Sequence, residues 1–212
     1  MLRAYEEMYL DSSTRILGSA FEYAVEALGM DIDEFADCFV QSDVSKQFAS
    51  GNPAYIAGIN GFELVVKVLK KQDDVPLMPD YFEYPDKSPE YWCGYVAAYF
   101  QWYSDESFTR ILRATRASEL RKMYDLYHEA DIMRSVRKLE KNIKLRFPET
   151  RLAAMRKNLS LSQSELAILA NVSIRQIQLF EQRQRDINSA QLITVYNLSK
   201  ALGCRVEDLV ER

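Results

Sequence analysis

The stretch Ser162–Glu181, SQSELAILANVSIRQIQLFE, decides how this chain is read. Ser162 followed three residues later by Glu165 has the spacing of a capping box, in which each side chain takes a free backbone N–H at a helix start. A helix is therefore expected from Ser162 to Ala170. Asn171, Val172 and Ser173 interrupt it, and Ser173 can cap a second helix over Ile174–Gln182. Leu166, Ala167, Leu169 and Ala170 form an apolar face on the first helix and Ile177 and Phe180 one on the second, with Val172 closing the corner. Those faces must pack on each other, which makes the segment a helix–turn–helix.

At 100° per residue, with Ile177 inward, Phe180 and Glu181 fall on the buried side of the second helix. Arg175, Leu179 and Gln182 fall opposite, flanked by Gln176 and Gln178. Arg can reach two base-edge atoms on guanine, and Gln two on adenine; a groove-reading helix does this with its N-terminal part. Arg175 is thus the first candidate for base contact, with Gln176 and Gln178 next. An inward Glu181 needs a cation, because a buried carboxylate is costly unless paired.

The pattern continues on both sides. Leu152, Met155 and Leu159 give a preceding helix its inner face, and Leu161 bridges to the pair. Asn188 is expected to cap Ser189–Leu202, with Leu192, Val195, Leu198, Ala201 and Leu202 inward and Gly203 as the stop. Val206, Leu209 and Val210 would cover the base of the bundle. The whole of Thr150–Glu211, RLAAMRKNLSLSQSELAILANVSIRQIQLFEQ and then INSAQLITVYNLSKALGCRVEDLVE, resembles the lambda-repressor-like DNA-binding domain of the Cro/CI, or xenobiotic-response-element, type. The resemblance rests on Leu-Ser-Gln before the first helix of the pair, Val-Ser at the turn and Leu-Ser-Lys-Ala-Leu-Gly before the last helix.

That resemblance implies a five-helix domain over residues 150–212. It implies that Ser173, Ile174, Arg175 and Leu179 face bases beside Gln176 and Gln178, and that Gln163, Gln182, Arg183 and Arg185 meet phosphates. It also implies an ion pair between Arg156 and Glu181. The chain departs from the family at Asn171, where Gly is frequent, at Leu179, where a polar base-reading residue is frequent, and in Arg183–Ile187, which lacks the usual Gly.

Charge is unevenly spread along the 212 residues. Residues 1–132 hold 12 Lys and Arg against 23 Asp and Glu, whereas residues 133–212 hold 15 against 8. A basic C-terminal third suits phosphates. No apolar run reaches membrane-spanning length and the N-terminus lacks the order of a signal peptide, which points to a cytoplasmic protein. Cys38, Cys93 and Cys204 are odd in number and lie in apolar helical segments, so they are expected as buried free thiols.

The region before residue 132 reads as helical throughout, giving an all-α chain of three parts: a helical domain at 1–131, a basic connector at 132–149 and the helix–turn–helix domain at 150–212. Helices are expected over Thr14–Met30, Ile32–Val40 capped by Asp31, Phe62–Lys71, Ser107–Ala114 and Ala117–Tyr127. Asp43 should start a short turn, Asn52–Pro53 a break and Lys71–Lys87 a loop. Ser88-Pro89 begins a helix whose body, YWCGYVAAYFQWY, is aromatic on more than one side. Such a helix is either central to a core or partly open to a partner. Trp92, Tyr95, Tyr99, Trp102 and Tyr103 are the candidates for that interface, and SPEYWCGYVAAYFQWY is similar to uncharacterised helical regions of antitoxin-type regulators.

The connector helix, IMRSVRKLEKNI, sets Met133, Val136, Leu139 and Ile143 on one side and Arg134, Arg137, Lys138, Lys141 and Lys144 around the rest. A coiled-coil-like dimer contact, a plain connector and contact with DNA backbone all remain open for it. His128, the only histidine, lacks the ligand spacing of a metal site, and Asp131 reads as an N-cap. Nothing resembles a phosphate-binding loop, a nucleophile elbow or a paired-cysteine motif. The expectation is a non-enzymatic, cofactor-free regulator: a dimeric repressor on double-stranded DNA or, alternatively, an antitoxin that sequesters a toxin through its N-terminal part and autoregulates through the helix–turn–helix.

Overall fold

A computed structural model describes residues 3–70 and 87–211, and among these every regular element is helical. The chain divides into two compact units, Met1–Arg146 and Phe147–Arg212.

In the first unit, α1 (Leu10–Glu22) runs on through a π-helical turn at Tyr23–Ala27, and both precede α2 (Ile32–Gln41). Asp31 caps α2 as expected, accepting from the N–H groups of Asp33 and Glu34. The short turn expected at Asp43 is a full helix, α3 (Asp43–Ala49), and the break at Asn52–Pro53 is a single helical turn, α4 (Pro53–Ile56), capped by Asn52. Asn60 and Glu63 then close a capping box on α5 (Gly61–Leu69). The end expected at Lys71 and nearly all of the loop Lys71–Lys87 lie outside the described residues.

The aromatic helix α6 (Pro89–Ser104) is the centre of this unit. It crosses α1 so closely that a Cβ added at Gly94 would lie 2.3 Å from the Leu17 carbonyl oxygen. An all-round apolar helix has been resolved as core: Trp92 and Trp102 are buried, and the Trp102 Nε1–H donates to the Tyr5 carbonyl at 3.0 Å. Of the five aromatics named for an interface, Tyr95, Tyr99 and Tyr103 alone keep partial exposure. Helices α7 (Phe108–Ala114) and α8 (Ala117–Tyr127) follow.

Next comes α9 (Ile132–Arg146), which packs against α6, α7 and α8 through Val136, Leu139 and Ile143. The seam read from its spacing is therefore turned into the first unit, and α9 belongs to that unit rather than to a connector. Its N-terminus is set by Asp131, whose carboxylate accepts the Met133 N–H at 2.8 Å. Cys93 is buried, but Cys38 and Cys204 are only half-buried, against the expectation for all three.

The second unit holds α10 (Arg151–Asn158), α11 (Gln163–Ala170), α12 (Ile174–Glu181) and α13 (Leu192–Leu202). Its core is Leu152, Leu166, Ala170, Val172, Ile177, Phe180, Ile187, Val195, Leu198, Leu202 and Leu209. In place of a fifth α-helix there is a 3-10 turn at Val206–Asp208, and another at Ile187–Ser189. Three residues expected inward are not: Leu159, Leu169 and Leu192 are 50, 60 and 74% exposed. Asn188 caps no long helix. It exchanges hydrogen bonds with the backbone of Glu211, while α13 starts three residues later than expected.

Among the described residues no helix is long and apolar enough to cross a membrane.

Candidate nucleic-acid interface

The pair α11–α12 is fixed by local chemistry at both ends of its turn. Glu165 N–H donates to Ser162 Oγ at 3.1 Å, and Ser162 N–H to Glu165 Oε2 at 2.7 Å. The hydrogen bonds from Ser162 hold the Glu165 carboxyl below its usual range. At the far end Asn171 takes a left-handed φ of 50°, which lets Val172 N–H return to the Ala167 carbonyl at 3.1 Å and sends Val172 into the core. Asn tolerates this region better than any β-branched or bulky residue. Ser173 then caps α12, accepting the Gln176 N–H at 3.2 Å.

Behind α12 lies the pair that the resemblance implies, with Glu181 on the side the helical wheel turns inward. Arg156 grips Glu181 with two bonds, Nε to Oε1 at 2.7 Å and Nη2 to Oε2 at 2.8 Å, and its Nη1 donates to the Leu161 carbonyl at 2.7 Å. Both side chains are almost wholly enclosed. Burial works against the ionised Glu181, but the hydrogen bonds from Arg156 and Gln163 outweigh it and hold its carboxyl below the ordinary range. The bridge ties α10, α11 and α12 together from the inside.

In front, Ser173, Ile174 and Arg175 are exposed on the first turn of α12, while Gln176, Gln178 and Leu179 are half-buried beside them. The Ser173 hydroxyl lies 3.3 Å from Gln176 Oε1, so these two candidates engage each other. Arg175 forms no ion pair with any described residue and is left free to act on an external group.

The four phosphate candidates separate into two kinds. Gln182 and Arg185 are exposed. Gln163, by contrast, donates its amide to Glu181 Oε2 at 2.8 Å and so is turned toward the interior bridge. Arg183 is a brace: its guanidinium donates to the Pro148 carbonyl at 2.6 Å and the Glu149 carbonyl at 3.4 Å and lies 3.8 Å from Glu211. Its own φ is 54°, a left-handed conformation, and its contacts reach the residues just before α10.

Sequence reasoning missed Ile187, which enters the core on its 3-10 turn, and the tether of Glu211 to Asn188 and to the Arg151 N–H. A lone Ile between Asp and Asn carries no periodicity that could have flagged it. Among the described residues no group of three His, Cys, Asp or Glu side chains could hold a metal ion, and His128 stacks on Tyr124 with ring centroids 4.2 Å apart. Compared with known proteins, the chain matches no family model, no curated protein and no solved structure.

Proposed function

We propose that the chain is a sequence-specific DNA-binding regulator, a dimeric repressor whose second unit is a lambda-repressor-like domain that reads the major groove with α12. The observation that carries this reading is the division of labour on α12. Ile177, Phe180 and the Arg156–Glu181 bridge fix it from behind, while an unpaired Arg175 stands exposed on its first turn. A rigid helix with an outward Arg near its N-terminus is what bidentate recognition of a guanine requires. Ile174 and Leu179 beside it suit the methyl group of thymine.

One such helix reads only a few base pairs, so useful specificity calls for two copies on half-sites about 34–36 Å apart. The antitoxin alternative rests on the acidic, aromatic-rich N-terminal part, of whose five named aromatics Trp92 and Trp102 are buried and Tyr95, Tyr99 and Tyr103 partly exposed. The test is selection of random duplexes by the full chain followed by mobility shift. An enriched inverted repeat with half-sites one turn apart is expected; a pool that enriches nothing overturns the proposal.

A further inference from the structure

We infer that the outward face of α9 is a second binding surface, which holds the phosphate backbone of double-stranded DNA without reading sequence. The inference rests on the DNA-binding reading above but uses a different unit of the molecule.

The first observation is where the positive charge lies. The basic excess of the C-terminal third is concentrated in α9, which holds six Lys and Arg and one Glu, whereas residues 147–212 hold nine against seven. The unit with the reading helix is therefore only weakly basic, and α9 carries most of what would attract a polyanion.

The second observation is geometric. Val136, Leu139 and Ile143 face inward, and at 100° per residue Arg134, Arg137, Lys138, Lys141 and Lys144 share an arc of about 120° on the opposite side. All five are exposed, and none forms an ion pair with a described residue. Elsewhere in the same unit Arg110 is held to Glu106, Arg116 to Asp33 and Asp37, and Arg121 to Glu90. Like charges three and four residues apart weaken a helix, so this row costs stability, although the Arg134 guanidinium lies 5.9 Å over the Tyr127 ring. Toward α8 the row borders an open groove of about 500 Å³ lined by Lys122, Lys138, Asn142 and Arg146 together with Glu119, Thr115 and Met123.

Charge complementarity selects the occupant. A cation every three or four residues is one every ~5 Å along α9, a row that fits a duplex with a phosphate charge every ~1.7 Å of axis. A helix lying on a lipid surface needs its apolar side free to enter the bilayer, but the apolar side of α9 is spent in the core, and Leu145 is the one apolar residue in the exposed arc. Four residues, 147–150, separate α9 from α10, so phosphate contact by one and base contact by α12 act as linked events on one chain.

The test compares the full chain with its Arg137→Gln/Lys141→Gln/Lys144→Gln variant and with Arg175→Ala, on the selected duplex and a random duplex, between 50 and 200 mM salt. The triple variant is expected to weaken both duplexes alike, to reduce the slope of log K against log salt by about 0.9 per residue replaced, to keep its base preference and to melt no lower than the wild type. The single Lys141→Gln change should move the slope by about 0.9 and covers the case of a triple variant that does not fold. An unchanged slope in a folded variant overturns the inference and leaves the regulator reading standing. If the wild type selects no sequence but its salt-dependent binding to random duplex is lost in the triple variant, the surface stands and the regulator reading falls. Retained duplex binding together with lost binding to phosphatidylserine vesicles would assign the face to lipid and overturn the inference.

Discussion

Arg156 and Glu181 show how an ionised pair is made tolerable in the interior: every corner of the guanidinium has an oxygen, and the second carboxylate oxygen also accepts from Gln163. Removing one partner strands the other, so Arg156→Ala should cost about 3–5 kcal/mol of second-unit stability, read from the urea midpoint. Glu181 has a carboxyl held below its ordinary range, so its stabilising contribution is full above about pH 4.3 and is lost as pH falls through the lower folded value. Glu181→Gln should therefore flatten the acid limb of the stability curve; an unaltered limb would place the titration elsewhere. Arg183 makes the opposite point. Sequence position made it a phosphate contact, but its donors are committed to the Pro148 and Glu149 carbonyls. Arg183→Ala should accordingly lower stability by about 1 kcal/mol and leave the salt dependence of DNA binding unmoved.

Within α11 and α12 the turn between them is the most informative stretch, because its chemistry is local. Asn171 sits at φ 50°, so Asn171→Ala should destabilise by about 1 kcal/mol while Asn171→Gly is neutral or stabilising, a sign difference that thermal denaturation resolves. Caps at Asp31, Ser88, Ser162 and Ser173 and the inward turn of Ile177, Phe180 and Glu181 were legible in the sequence because one or two residues determine each. Burial on short helices was not. The eight residues of α11 give too few positions for a period to select a side, and Leu166 with Ala170 take the core while Leu169 faces out. Leu159 follows the last residue of α10. Leu192 opens α13, and at 100° per residue it lies about 90° round from the buried side set by Val195, Leu198 and Leu202, at the edge of the apolar face where its first turn meets solvent. At the candidate interface the sequence identified which helix presents a polar face, but not that Gln163 and Arg183 would be drawn into internal contacts.

At the scale of the molecule, the same sequence contains two apolar clusters drawn from separate stretches of chain. One is built on α1 and α6, around Leu17, Phe21, Phe100 and Phe108; the other is built on α10 to α13, around Leu166, Ile177 and Leu198. The boundary between them was displaced in the sequence reading because the heptad-like spacing of α9 says only that one side is apolar, not which neighbours it meets. Each cluster should respond to its own cavities. Leu198 and Leu17 are fully buried, so Leu198→Ala and Leu17→Ala should each cost about 2–5 kcal/mol. A loss of 1 kcal/mol moves a melting temperature by about 4–8 °C in a unit the size of the second and by about 2–4 °C in one the size of the first, so shifts of at least about 8 °C for Leu198→Ala and about 4 °C for Leu17→Ala are expected. Calorimetry of the full chain should then resolve two transitions, with Leu198→Ala moving one and Leu17→Ala the other. If both substitutions displace one common transition by the same amount, the two clusters unfold as a single cooperative core, and a regulator built from a separable reading unit and a separable basic unit loses its physical basis.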